Sequence, residues 1–150
     1  MSLTIRPARA GDGATLHALL LELAAFEQGN VDATAADLER DAFGPKPLFE
    51  ALLAEHDGRA VGMLTYLSLY SSWRGRPALL IHDLFVREQA RGLGAGKALV
   101  ASLRDIARQR GCCRVDVNVL DWNDRARAFY ASLGFAHNEG WLGYRLNLSP

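Results

Sequence analysis

The order of apolar runs predicts an α/β (α+β) protein, a mixed, mostly antiparallel twisted sheet of about six or seven strands flanked by about four helices. Three observations carry the prediction. Apolar residues recur at helical spacing in two early segments and two late ones. Three extended runs follow one another in the middle, two of them joined through Asp57-Gly58. A late strand then passes through a glycine-rich loop straight into a long helix. That last feature requires a crossover, so the strands before Gly92 and after Gly111 are expected to be parallel neighbours.

Taken in order, Leu3 to Arg6 reads as a short first strand that ends at Pro7. Asp12 is expected to cap a helix carrying Leu16, Leu19, Leu20 and Leu23 on one side. A second short helix follows Thr34, favoured by Ala35, Ala36, Leu38 and Glu39, and Gly44-Pro45-Lys46-Pro47 ends it. Leu48 to Glu55 and Ala60 to Leu69 read as strands of a hairpin, because Asp-Gly is a strong turn signal. Pro77 to Arg87 is a third strand, and its Ala78-Leu79-Leu80-Ile81 stretch suits burial on both faces. A helix from Leu93 to Arg110 follows, with Gly111 as its stop. Cys113 to Leu120 is expected as a strand, and Asn123 or Asp124 caps a helix that runs to Leu133 before Gly134. Phe135 and the Trp141 to Leu148 segment read as closing strands.

Composition narrows the function. The chain has no repeat or linker, and its 150 residues suit one domain, 1–150. Seventeen basic residues balance seventeen acidic ones, so no global field draws nucleic acid or an anionic membrane, and neither is expected as a partner. Any anion must be held by local geometry. The N-terminus lacks the apolar core of a signal peptide and no run is long enough to span a bilayer, which points to a cytoplasmic protein. Cys112 and Cys113 are adjacent, a poor geometry for a disulfide, and read as structural. The histidines show no ligand spacing, so no metal is expected.

The most informative stretch is Val86-Arg87-Glu88-Gln89-Ala90-Arg91-Gly92-Leu93-Gly94-Ala95-Gly96-Lys97. A strand, three alternating glycines and a helix start turn several N–H groups toward one point, a site for a phosphate or pyrophosphate. A phosphate-binding Walker loop fails here, because Arg91 occupies the first glycine position and Ala98 follows Lys97. A dinucleotide fingerprint fails too, since Gly92-x-Gly94 leads to Lys97 and Gly94-x-Gly96 leads to Leu99. The remaining pattern, R/Q-x-x-G-x-G/A, is met by Arg91-x-x-Gly94-x-Gly96.

At this point the chain resembles the GNAT N-acetyltransferase superfamily, whose strand-loop-helix binds the pyrophosphate of acetyl-coenzyme A. Asp41-x-Phe43-Gly44-x-x-Pro47, His82-Asp83-Leu84-Phe85-Val86, Trp122-Asn123, Phe129-Tyr130 and Glu139-Gly140-Trp141 look more narrowly like the diamine branch, which includes spermidine/spermine and thialysine N-acetyltransferases. The resemblance implies acetyl transfer from acetyl-CoA, as cosubstrate, to a primary amine of a small molecule (a diamine, a polyamine or a lysine-like amino acid). Transfer would be by direct attack in a ternary complex. It also implies a homodimer. Arg91, Gly92, Leu93, Gly94, Ala95, Gly96 and Lys97 would form the pyrophosphate loop, while backbone groups of Leu84, Phe85 and Val86 would meet the pantetheine arm and the thioester carbonyl. Asn123 would hydrogen-bond the cosubstrate, cap its helix, or do both.

Amine acetylation needs a group to take the ammonium proton and one to protonate the departing thiolate. Tyr130, two turns beyond Asn123, would contact the cosubstrate and is the candidate acid; the alternative is an aromatic packed beside Phe129. The diamine branch usually carries Glu just before the Asp of its central strand, and here that position is His82. His82 is therefore the candidate base or a structural strand residue. Asp83, with Glu139 and Trp141, is the candidate acceptor site, and Asp83 also stands with His82 and Tyr130 as a catalytic candidate. The segment Ser71-Ser72-Trp73-Arg74-Gly75-Arg76 is basic where a polyamine site would call for acids, which favours an acceptor with one reactive amine over spermine. A non-catalytic CoA-binding regulatory domain is the alternative reading.

Overall fold

The computed structural model describes residues 2–148. Among the described residues, those up to 118 and those from 119 on form two compact units. The first holds β1 (Leu3–Pro7), α1 (Gly13–Glu27), α2 (Ala35–Phe43), β2 (Glu50–His56), β3 (Arg59–Ser71), β4 (Arg76–Val86), α3 (Ala95–Gln109) and β5 (Val115–Val117). The second holds α4 (Asp124–Ser132). The sheet runs β1-β2-β3-β4-β5, antiparallel from β1 to β4 and parallel between β4 and β5. The parallel pair is the one that the α3 crossover demands.

The mixed sheet and the four α-helices agree with expectation, but among the described residues the sheet has five strands rather than six or seven. The difference lies at the chain's end. Leu142, Tyr144, Leu146 and Leu148 alternate as a strand would, yet residues 135–148 form no strand, and Tyr144 is 91% exposed. Alternation signals a strand only where a neighbour completes the ladder. The segment around β5 is likewise shorter than the expected Cys113 to Leu120, because its pairing stops after Ile81↔Val117.

Local chemistry explains most boundaries. The hairpin between β2 and β3 turns through Asp57 (φ 52°) and Gly58 (φ 78°), the two positive values that a tight hairpin turn requires. Thr34 and Asp37 form a reciprocal capping box at the start of α2. The expected cap of α1 by Asp12 is not made: its carboxylate accepts instead from Arg6 (2.8 and 3.1 Å) and from the Arg9 amide (2.8 Å). Glu39 of α2 takes over, accepting from the amides of Gly11 and Gly13, each at 2.8 Å. A Cβ on Gly13 would sit 2.7 Å from the Glu39 carboxylate, so glycine is what lets this contact form.

Alternation divides the sheet into two faces. Ala51, Leu53, Met63 and Phe85 form one apolar cluster with Leu16 and Leu19 of α1. Glu50 and Tyr66, paired across β2 and β3, belong to the other face. There Arg110, just beyond α3, donates to both carboxylate oxygens of Glu50 (2.7 and 2.8 Å) and lies 5.8 Å above the Tyr66 ring. Leu53, Leu64, Leu99 and Leu103 have no exposed surface, so the central strands are covered on both sides.

Candidate active site

The β3–β4 ladder contains one irregularity, and it falls at the residues singled out by sequence. Thr65 pairs with Asp83, but the next residue, Tyr66, pairs with Ile81. His82 is therefore an extra residue, a β-bulge. In a regular strand, neighbours point to opposite faces. The bulge breaks that rule, and His82 and Asp83 line the same cavity.

Three side chains meet at one oxygen. The Thr65 hydroxyl donates to Asp83 Oδ2 at 2.6 Å, and His82 Nδ1 lies 3.1 Å from the same atom. A carboxylate only accepts, so Nδ1 carries the proton and Nε2 is left as the basic nitrogen. The hydrogen bond to Asp83 raises the His82 pKa above its ordinary 6.5, burial opposes this, and the Asp83 charge adds to it. Asp83 is mostly buried, whereas the His82 side chain is 66% exposed. Glu27, at the end of α1, has its proton affinity raised first by loss of water and second by the charge of Asp83.

The cavity has a volume of about 340 Å³, small among ligand sites. Leu16 and Leu20 of α1, with Leu38 of α2, form one wall. Met63, Thr65 and Leu67 of β3 form another, on the face set by their alternation. Asp41 also lines it, but both of its oxygens accept from Arg40 (3.0 and 2.9 Å).

Beside this cavity the sheet opens. β5 stops at Val117, so residues 83–86 of β4 pair with β3 on one edge and with no strand on the other, among the described residues. An extended amide-bearing chain fits such an edge as an added strand. Leu84 and Val86 are half-buried there. The Phe85 side chain is buried in the α1-side cluster, so only its backbone is offered. Arg91 Nε donates to the Val86 carbonyl at 3.3 Å, tying the glycine loop to the strand end.

In the loop, Gly92 and Gly94 have φ of 90° and 78°, values that side chains disfavour, and a Cβ on either would meet nothing within 4 Å. Their glycines are required by conformation, and the space in front of them is open. Among the described residues, the amides of Gly92, Gly94, Ala95, Gly96 and Lys97 meet no backbone acceptor. These donors, the start of the 15-residue α3, and the exposed Arg91 and Lys97 fit a pyrophosphate. Leu93 is also exposed at the loop surface.

The second unit supplies the remaining candidates. Asn123 caps α4, its side chain accepting from the Ala126 amide at 3.0 Å, so the capping role is real. Tyr130 is buried, its ring edge-on to Phe129 and Phe135 at 5.2 and 5.3 Å. Glu139 is exposed near the turn at Gly140, and Trp141 is 71% exposed. Sequence reasoning missed Thr65 as part of the site. It lies in no motif; only the β3 register reveals it. Among the described residues, no group of three or more His, Cys, Asp or Glu is placed to hold a metal ion, and no helix is long and apolar enough to cross a membrane.

A strand edge open beside a glycine-built anion cradle, with a mainly apolar pocket ending at Asp83 next to it, is the geometry of an acyl-CoA-dependent transferase. The chain belongs to the acetyltransferase (GNAT) family, whose model matches residues 16–135. It is an acetyl-CoA-dependent N-acetyltransferase. It is 34% identical to the thialysine N-epsilon-acetyltransferase of Mus musculus, over 96% of this chain and 92% of that protein. It is 36% identical to the spermidine/spermine N(1)-acetyltransferase-like protein 1 of Homo sapiens, over 95% of this chain but 22% of that protein. Among solved structures, an integron cassette protein from V. cholerae superposes with a TM-score of 0.85 at 26% identity, over 98% of this chain and 93% of that one.

Proposed function

We propose that the protein acetylates a small-molecule primary amine in the cavity between α1, α2 and β3–β4, with acetyl-CoA held along the open edge of β4 and the Arg91–Lys97 loop. The carrying observation is the bulge that turns His82 and Asp83 into one cavity. The names of the relatives, which act on thialysine and, in the second case, are likened to spermidine/spermine acetyltransferases, support a small amine as the acceptor.

The cosubstrate supplies an already activated acetyl thioester, so positioning provides much of the acceleration. Asp83 attracts the acceptor ammonium. His82 Nε2 takes its proton, directly or through water, and the freed amine attacks. As the N–C bond forms and the C–S bond breaks, the departing sulfur takes a proton from Tyr130, and the proton that the acetylated nitrogen sheds to solvent is matched by one that solvent returns to the tyrosine. That last role, like that of Asn123 toward the cosubstrate and those of Glu139 and Trp141 toward the acceptor, rests on the resemblance alone. The chain acts in this reading as one acetyltransferase domain, as a cytoplasmic homodimer, without metal, nucleic acid or membrane.

Incubating the purified protein with acetyl-CoA labelled in the acetyl group, alone and with a panel of amines, tests this. Label is expected in the amine fraction. Saturable binding of acetyl-CoA with no transfer to any amine would instead favour a regulatory domain.

A further inference from the structure

Two walls of the cavity are helices, and one side chain ties them together. Leu16 and Leu20 face the acceptor space from α1, while Leu38 and Asp41 face it from α2. Arg40 is shared between Asp37 (3.2 Å) and Asp41 (2.9 Å), so Asp41 brings uncompensated negative charge to the lining. α2 packs chiefly on α1, and its Leu38 and Phe43 reach the border of the apolar cluster. Apolar packing is non-directional and does not by itself fix how far one helix sits along another. Glu39 does, because its two oxygens accept from two different amides at the start of α1, Gly11 and Gly13, each at 2.8 Å. The approach is close. A Cβ on Gly13 would also meet the Glu39 Cβ at 2.8 Å and the Ala35 carbonyl oxygen at 3.0 Å, and neither can swing aside.

We propose, building on the acetyltransferase reading above, that Glu39 is a positioning residue for the acceptor. It does not line the cavity. It acts through the Gly11 and Gly13 amides, setting where α2 holds Leu38 and Asp41 against a bound amine. The cosubstrate's proposed seat, the β4 edge and the Arg91–Lys97 loop, includes no residue of α1 or α2. Loosening the clamp should therefore weaken acceptor binding, and leave acetyl-CoA and the His82–Asp83 pair on β4 undisturbed.

The experiment takes whichever of thialysine, 1,5-diaminopentane and spermidine the wild-type protein acetylates best. It measures kcat and KM for that amine with saturating acetyl-CoA, and acetyl-CoA Kd by calorimetry. Glu39→Ala removes both accepting oxygens. Gly13→Ala disturbs the same contact from the other side, although alanine is the better helix former. Each should raise the amine KM at least fivefold, with kcat within twofold of wild type and acetyl-CoA Kd unchanged. Glu39→Gln keeps one accepting oxygen, and its KM should fall between those of wild type and Glu39→Ala. A purely structural role gives another pattern, since loss of folded protein lowers apparent kcat and leaves KM alone. That pattern, or an unchanged KM in either alanine variant, overturns the inference and leaves the acetyltransferase reading intact. Transfer to none of the three amines by wild-type protein that binds acetyl-CoA overturns both.

Discussion

Thr65 and Asp83 face each other across the β3–β4 ladder, and the Thr65 hydroxyl donates to Asp83 Oδ2 at 2.6 Å. Thr65 is buried, so it has little freedom to point elsewhere. It fixes the oxygen that in turn orients His82. Thr65 is thus a positioning residue: it acts through Asp83.

Thr65→Val removes the hydroxyl at nearly constant shape. Hydrogen bonds to charged groups are worth about 1.5–3 kcal/mol, so kcat/KM should fall by tenfold or more. Thr65→Ser should recover most of the loss. Full activity in the valine variant would reduce Thr65 to a packing role.

His82 should leave a pH signature. Its pKa is raised by Asp83, so the stabilisation from the charged pair is present below the unfolded value and lost as pH rises through the folded one. Catalysis runs the other way, because the neutral ring does the work. The profile of kcat/KM should climb through a midpoint above 6.5, the ordinary histidine value. Asp83→Asn should shift that midpoint downward as well as weaken acceptor binding. His82→Ala should abolish the limb, and its survival there would assign it to another group, such as the substrate amine.

Gly94→Val sets a branched side chain at φ 78°, where it is strained, and crowds the anion cradle. Calorimetry should show acetyl-CoA affinity lost by at least about tenfold, with the circular dichroism spectrum retained. Unchanged affinity would remove the loop from the binding site.

Tyr130→Phe keeps the ring that packs against Phe129 and Phe135 and removes only the hydroxyl. If that hydroxyl protonates the leaving sulfur, kcat should drop about 10²-fold with little change in cosubstrate affinity. A variant close to wild type in kcat would leave Tyr130 as an aromatic of its unit's core.

Glu39→Ala strips the α1 N-terminus of the acceptor for the Gly11 and Gly13 amides. Denaturant unfolding should show a loss of about 1–2 kcal/mol, the usual worth of a helix cap. A stability within error of wild type would mean that water replaces the carboxylate at no cost.

What the sequence disclosed followed from local chemistry. Gly92 and Gly94 stand out because only glycine takes those backbone angles cheaply, and Asp57-Gly58 announces its turn for the same reason. The crossover through α3 then fixes a parallel pair without any knowledge of packing. What stayed hidden depends on partners distant in the chain. The bulge at His82 is a mismatch between two strands, visible in neither alone. Asp12 looked like a cap, but Arg6 claims its carboxylate and Glu39, from another helix, does the capping. The Trp141 to Leu148 segment reads as a closing strand, but no ladder forms there. The sharing of Arg40 between Asp37 and Asp41 is also a matter of rotamers rather than of spelling.

The open edge of β4 has a consequence for handling the protein. Unpaired backbone groups along an exposed strand invite any extended chain, including another copy of the same protein, to zip on. A ligand that occupies that edge blocks the contact and, by binding only the folded form, also shifts the unfolding equilibrium by mass action. Protein kept without acetyl-CoA should therefore melt earlier and scatter more light on concentration than protein kept with it, and the cosubstrate should act as its own preservative.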